Sequence, residues 1–164
     1  MRPPLPLIVG SLILVACQTN ANAQVLLPSG YGDIRFGEKL IVIEARLKEK
    51  ASPEKREFAC DFVKFKKYPG LSFMVEDGIV TRADAAGPEV RNVAGVAVGA
   101  SMASVKKRFP HVRIDPHKYD EEGHYLVLLT PDGKAALLFE EGGGMVTDVR
   151  AGLEPSVEYV EGCS

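Results

Sequence analysis

Gly32-Asp33-Ile34-Arg35-Phe36-Gly37 and Gly95-Val96-Ala97-Val98-Gly99 each lead into an amphipathic run, Glu38 to Lys50 in one case and Ala100 to Phe109 in the other. Aligning Gly37 with Gly99 matches Ile34 to Val96, Phe36 to Val98, Leu40 to Met102, Ile43 to Val105 and Leu47 to Phe109, at a constant offset of 62 residues. Further on, Phe73-Met74-Val75-Glu76-Asp77-Gly78-Ile79-Val80-Thr81 is echoed by Phe139-Glu140-Glu141-Gly142-Gly143-Gly144-Met145-Val146-Thr147. The offset there is 66, so the second half carries four extra residues. Self-similarity at a near-fixed spacing is the mark of a repeated unit.

Each unit has the same internal logic. Leu40, Ile43 and Leu47 fall on one helical face, as do Met102, Val105 and Phe109. Ser101 and Ser104 are capping candidates for the second helix and Pro110 stops it. Strands are expected at Phe58 to Phe65, Leu71 to Val75 and Ile79 to Ala85 in the first half. In the second they are expected at Val112 to Asp115, His124 to Thr130, Lys134 to Glu140 and Met145 to Ala151. Asp77-Gly78 and Asp132-Gly133 are strong turn signals, and Gly142-Gly143-Gly144 is a third turn. The pattern predicts an α+β fold: a single antiparallel sheet with two short helices on one face, built from two related helix–meander halves. The other face of the sheet is expected to meet solvent. The halves span 31–86 and 93–152 within one domain, 31–164.

Upstream of that domain the chain changes character. Arg2 is the only charged side chain before Asp33, and Leu5 to Ala16 is a mostly apolar run of 12 residues. A bilayer span needs about 20. A basic residue followed by a short apolar core reads instead as an export signal, 1–16. Leu14-Val15-Ala16-Cys17 has the form of a lipobox, which would make Cys17 a lipidation site and 17–30 a polar tether. Ala21-Asn22-Ala23 offers a competing A-x-A cleavage site after Ala23 and a soluble product.

The remaining two of the three cysteines, Cys60 and Cys163, are expected to pair in an oxidising compartment. Two free thiols are the alternative. The 164 residues are 46% hydrophobic and 26% charged, with a formal charge of −2. That is ordinary globular usage, and it lacks the basic footprint of a nucleic-acid binder. The charge is uneven: Arg35 to Tyr68 holds 10 basic and 6 acidic residues, Asp115 to Ser164 holds 3 basic and 11 acidic. Such asymmetry can steer a charged partner or satisfy itself internally.

The glycine-flanked lead-in, helix and three-strand meander resemble a module found in β-lactamase inhibitor proteins and in small outer-membrane assembly lipoproteins. Four stretches also resemble small exported or lipid-anchored Gram-negative proteins, some labelled "lectin". They are Gly30 to Gly37, Pro116-His117-Lys118-Tyr119, Gly123-His124-Tyr125-Leu126 and Val157 to Ser164. That resemblance implies carbohydrate binding, without a residue set to carry it. Glutamine at position 18 resembles the outer-membrane sorting of lipoproteins.

The densest polar cluster is the connection Asp115 to Tyr125, with His117, Tyr119, Asp120, Glu122, His124 and Tyr125 as ligand-binding candidates. Tyrosine rings can pack a sugar's apolar face while carboxylates and imidazoles bond its hydroxyls. His117 and His124 lack the spacing of a metal pair. No nucleophile elbow, phosphate loop or paired-carboxylate site is recognisable, so no catalytic residue and no cofactor are assigned. The reading is a non-catalytic cell-envelope binding or inhibitory lipoprotein, facing the periplasm or the surface, that contacts a protein partner. The alternative is a carbohydrate- or peptidoglycan-binding, lectin-like protein.

Overall fold

The computed structural model describes residues 24–54, 59–85 and 87–163. The export signal and Cys17 lie outside the described residues.

The chain is mostly sheet. A two-stranded ribbon, β1 (Gly30–Tyr31) and β2 (Ile34–Arg35), precedes helix α1 (Leu40–Leu47). Strands β3 (Cys60–Val63), β4 (Leu71–Glu76) and β5 (Ile79–Ala85) follow. Helix α2 (Met102–Arg108) opens the second half and is followed by β6 (Arg113–Pro116), β7 (His124–Leu129), β8 (Ala135–Gly142) and β9 (Met145–Leu153). A 3-10 turn, Ser156–Glu158, ends the fold. Strands β3 to β9 form one antiparallel sheet in the order β3-β4-β5-β9-β8-β7-β6. The ribbon makes the architecture more β-rich than the single-sheet α+β fold expected from sequence.

The two halves place their parts alike. Gly37 N donates to Val80 O, and Leu40 N to Gly78 O, both at 2.8 Å. Gly99 N donates to Val146 O at 2.8 Å and Met102 N to Gly144 O at 2.9 Å. Each helix thus starts by binding the tip of its own hairpin. Asp77 and Gly78 have φ of 48° and 79°, and Gly143 and Gly144 have 59° and 83°. Two successive positive φ values make the tight turn that matches strand twist. A bulge falls between Met74 and Val75 in one half and between Glu140 and Glu141 in the other. Strands β5 and β9 meet at the centre, with Asp84 opposite Arg150.

Alternation along the strands sends Phe73, Ala83, Ala151 and Leu137 to one face, where they form the main core with Leu40 and Ile43 of α1 and Val105 of α2. Leu47, Met102 and Phe109 pack at its margin. Ser101 caps α2 by accepting from Ser104 N at 3.2 Å. The core also takes in Leu26, fully buried and bonded through its N–H to Arg91 O at 2.7 Å. The fold therefore begins before Tyr31, because a leucine that pairs with the 91–93 segment buries more surface than a free tether does.

The second face of the sheet is not left to solvent. The segment after β9 crosses it as a strap. Val157 is fully buried against Tyr125, Val127, Ala136 and Leu138 in a smaller cluster. Arg82, 3% exposed, donates to Ser156 O at 3.1 Å and Tyr159 O at 2.7 Å and holds Asp84 through two further bonds. Gly152, the last residue but one of β9, is glycine because a Cβ there would lie 2.6 Å from Thr81 O and 2.9 Å from Arg82 Cα. The strap ends in the Cys60–Cys163 disulfide, whose Cα atoms are 5.3 Å apart.

Closing a loop of 103 residues removes denatured-state entropy worth up to about 4–5 kcal/mol. Cys163→Ser is expected to lower the denaturant midpoint and to raise the m-value, because the denatured chain without the crosslink is more expanded. Adding a reductant should lower the wild-type midpoint to that of the variant and leave the variant's own midpoint unmoved.

Candidate functional site

The connection from β6 to β7 is an ordered loop. His117 Nδ1 accepts from Tyr119 N at 3.1 Å and Asp120 N at 3.0 Å. A ring nitrogen that accepts carries no proton, so the proton sits on Nε2, which donates to Glu140 Oε1 at 2.8 Å. The imidazole stacks on Tyr125 with ring centres 4.7 Å apart. Gly123 closes the loop: its N–H donates to Asp120 O at 3.0 Å, and a Cβ there would meet Glu141 O at 2.9 Å.

This geometry divides the six sequence candidates. His117 and Tyr125 face inward and hold the loop on the sheet. The Tyr125 hydroxyl is buried without a hydrogen-bond partner. His124 is half-buried, with Nδ1 2.8 Å from Glu141 Oε2. Asp120 Oδ1 accepts from Glu122 N at 3.0 Å in a local turn. Only Tyr119, Asp120 and Glu122 are exposed on the surface, Tyr119 at 65%. The two histidines serve different glutamates, and among the described residues no group of three or more His, Cys, Asp or Glu is placed to hold a metal.

The strap supplies what the loop lacks. Lys118 Nζ bonds Glu161 Oε1 at 2.5 Å, and the Tyr119 hydroxyl donates to the same carboxylate. Arg113 bonds Glu158. These contacts leave a shallow cleft of about 410 Å³ between loop and strap, lined by Glu76, Lys118, Tyr159, Glu161 and the disulfide. Its wall is thus made from a segment 40 residues away from the loop in sequence, which spacing alone could not join. Glu76 is spoken for, accepting from Thr81 Oγ1 at 2.6 Å and Ser156 Oγ at 2.5 Å.

Arg82 and Arg150 were absent from the sequence candidates, although an arginine inside an apolar strand run is a signal. Arg150 donates to Tyr159 O at 3.3 Å and Glu140 Oε2 at 3.4 Å, while its Nε is buried without a partner. Burial, with Arg82 nearby, lowers its pKa from the ordinary arginine value. Burial and the neighbouring Glu140 raise Asp148. At the strap's root, burial and the adjacent Glu158 carboxyl push Glu154 up to about 7.

Two outcomes follow from these contacts. His117→Ala leaves two backbone N–H groups and one oxygen of Glu140, Oε1, without their partner and is expected to cost about 1–3 kcal/mol in denaturant melts, whereas Tyr119→Ala leaves stability near wild type. For Glu154, the unfolded chain ionises at its ordinary value near 4.5 while the folded chain keeps its proton to about 7. Stability from this group is therefore full at pH 4 and falls as pH rises through that window. Glu154→Gln should melt like wild type at pH 4 and at a higher temperature than wild type at pH 8.

Comparisons with protein-family models, curated proteins and solved structures find no match for this chain.

Proposed function

We propose that this chain is a non-catalytic, exported protein of the cell envelope that binds, and so restrains or positions, a protein partner. The observation that carries this reading lies on α1. Ile41 and Val42 are 66% and 48% exposed. Adjacent β-branched residues on an open helix face gain nothing from burial and lower helix propensity, a cost that a docking partner offsets. Shallow clefts flank Ile41, one beside Asp77 and Gly78 and one beside Lys48 and Lys50, about 340 and 330 Å³ in volume. Both clefts carry mixed charge, Lys39 with Asp61 and Asp77 in one and Lys48 and Lys50 with Glu44 and Glu49 in the other, which suits a partner surface of mixed polarity.

Export is supported by the leader composition and by the Cys60–Cys163 disulfide, a bond kept in oxidising compartments. Among the described residues no helix is long and apolar enough to cross a membrane. Attachment then falls to Cys17 if the lipobox is used, with the outer membrane as destination; cleavage after Ala23 gives a soluble periplasmic form. We also infer that the halves descend from one duplicated unit. The recurring helix-to-hairpin bonds and paired bulges support this, as does the facing of Asp84 and Arg150, which are themselves 66 residues apart.

A glycan-binding reading has one observation of its own: exposed Tyr119 and Tyr159 beside the loop–strap cleft. A photo-crosslinking residue at Ile41, with the protein in its native envelope, tests the first reading. It is expected to capture one envelope protein in near-equal amount, and Ile41→Asp should abolish that complex without lowering the melting temperature. No adduct at Ile41, together with glycan-array binding lost in Tyr119→Ala, would move the function to the cleft.

A further inference from the structure

Between Glu89 and Asp115 the chain carries five Lys or Arg residues and no acid. Arg113 is engaged by Asp115 and Glu158. The other four, Arg91, Lys106, Lys107 and Arg108, form no ion pair among the described residues and are all exposed. Arg91, whose carbonyl accepts from Leu26 N, and Arg108, which reaches Gly95, bring part of this basic stretch to the 91–95 segment. Leu26 O accepts from Val93 N at 3.0 Å, and Arg108 Nη1 reaches Gly95 O at 3.4 Å. Glu89, the nearest acid in sequence, folds its carboxylate back over Gly87.

The same place is apolar. Val25, Pro88, Val90, Val93 and Val96 line an open cleft of about 470 Å³. Val93 is 57% exposed. Arg91 lines this cleft beside exposed Val93 and Arg108 reaches its Gly95, and a valine set among cations suits the boundary of an anionic bilayer, where apolar groups enter the headgroup layer and each basic group adds attraction.

We propose that the patch formed by Arg91, Val93 and Arg108, with Lys107 next to Arg108 in the chain, rests on an anionic phospholipid surface and orients the domain there. This contact belongs to the folded domain and does not require lipidation of Cys17. It also sets a direction. The acidic loop and strap, Asp115 to Glu161, lie on and beside the second sheet face, across the sheet from α2 and the core it covers. The contact is separate from Ile41, so failure here leaves the protein-binding reading untouched, and the reverse also holds.

The test uses protein exported in the Cys17→Ser form, which cannot carry a lipid. It is floated with vesicles of phosphatidylethanolamine plus phosphatidylglycerol, or with phosphatidylcholine alone. Binding is expected on the anionic vesicles only. It should fall on the order of 100-fold when Arg91, Lys107 and Arg108 are all changed to Gln, and it should weaken with salt. A photo-crosslinker at Val93 should label phospholipid, whereas one at Tyr159 should not. That probe keeps the test decisive if the triple variant folds poorly. Equal binding to both vesicle types, lipid labelling from Tyr159, or capture of a protein in place of lipid at Val93 would overturn the proposal.

Discussion

A guanidinium cannot be left dry in a protein interior. Arg82 is almost fully buried on the second face of the sheet, and four of its hydrogen bonds are filled: two by Asp84 and two by the carbonyls of Ser156 and Tyr159. Removing one side of such an arrangement strands a buried charge at a cost of about 3–5 kcal/mol. The path of the strap follows from this requirement. Because those carbonyls must lie over Arg82, Val157 is drawn onto Tyr125 and Leu138, and Cys163 reaches Cys60. The cleft between loop and strap is a by-product of the same constraint.

The two faces of the sheet are therefore built on different physics. The helix side is a conventional apolar core, continuous across both halves through the β5–β9 ladder. The strap side is a polar core in which arginines bond carboxylates and backbone carbonyls around a small apolar cluster, with Arg150 Nε and the Tyr125 hydroxyl left over. Placing the strap in position matters more than raw stability in such a design, since polar cores select one arrangement out of many apolar alternatives. The halves share a frame, but only the second is followed by a segment that crosses to the other's edge strand.

Local signals in the sequence carried the hairpin turns, the buried helix positions Leu40, Ile43 and Val105, and the cysteine pair. Asp77-Gly78 and Gly143-Gly144 need positive φ, and few residues tolerate it. The strap was illegible because Pro155-Ser156-Val157-Glu158 has neither helical nor strand periodicity, and its partner Arg82 lies over 70 residues away. The ribbon β1–β2 was missed because two-residue strands leave no alternation to detect. In the candidate loop, composition marked six polar residues without separating His117 and Tyr125, which pack on the sheet, from Tyr119, Asp120 and Glu122, which are exposed. His117 and Tyr125 looked like ligand groups because polar aromatic residues serve equally well to pin a loop. Only the bonds to Nδ1 distinguish the two uses.

The disulfide has a consequence in time as well as in space. Cys60 leaves a ribosome or a translocation pore 103 residues ahead of the thiol it must join. Through that interval it has no lawful partner, and α2 and strands β6 to β9 must all emerge before Cys163 arrives. The last seam to close is thus the one that seals the polar face. Until the strap has emerged, Arg82 lacks the Ser156 and Tyr159 carbonyls that cover it. Once the seam closes, the chain's late-emerging segment has become a fixed part of its oldest edge.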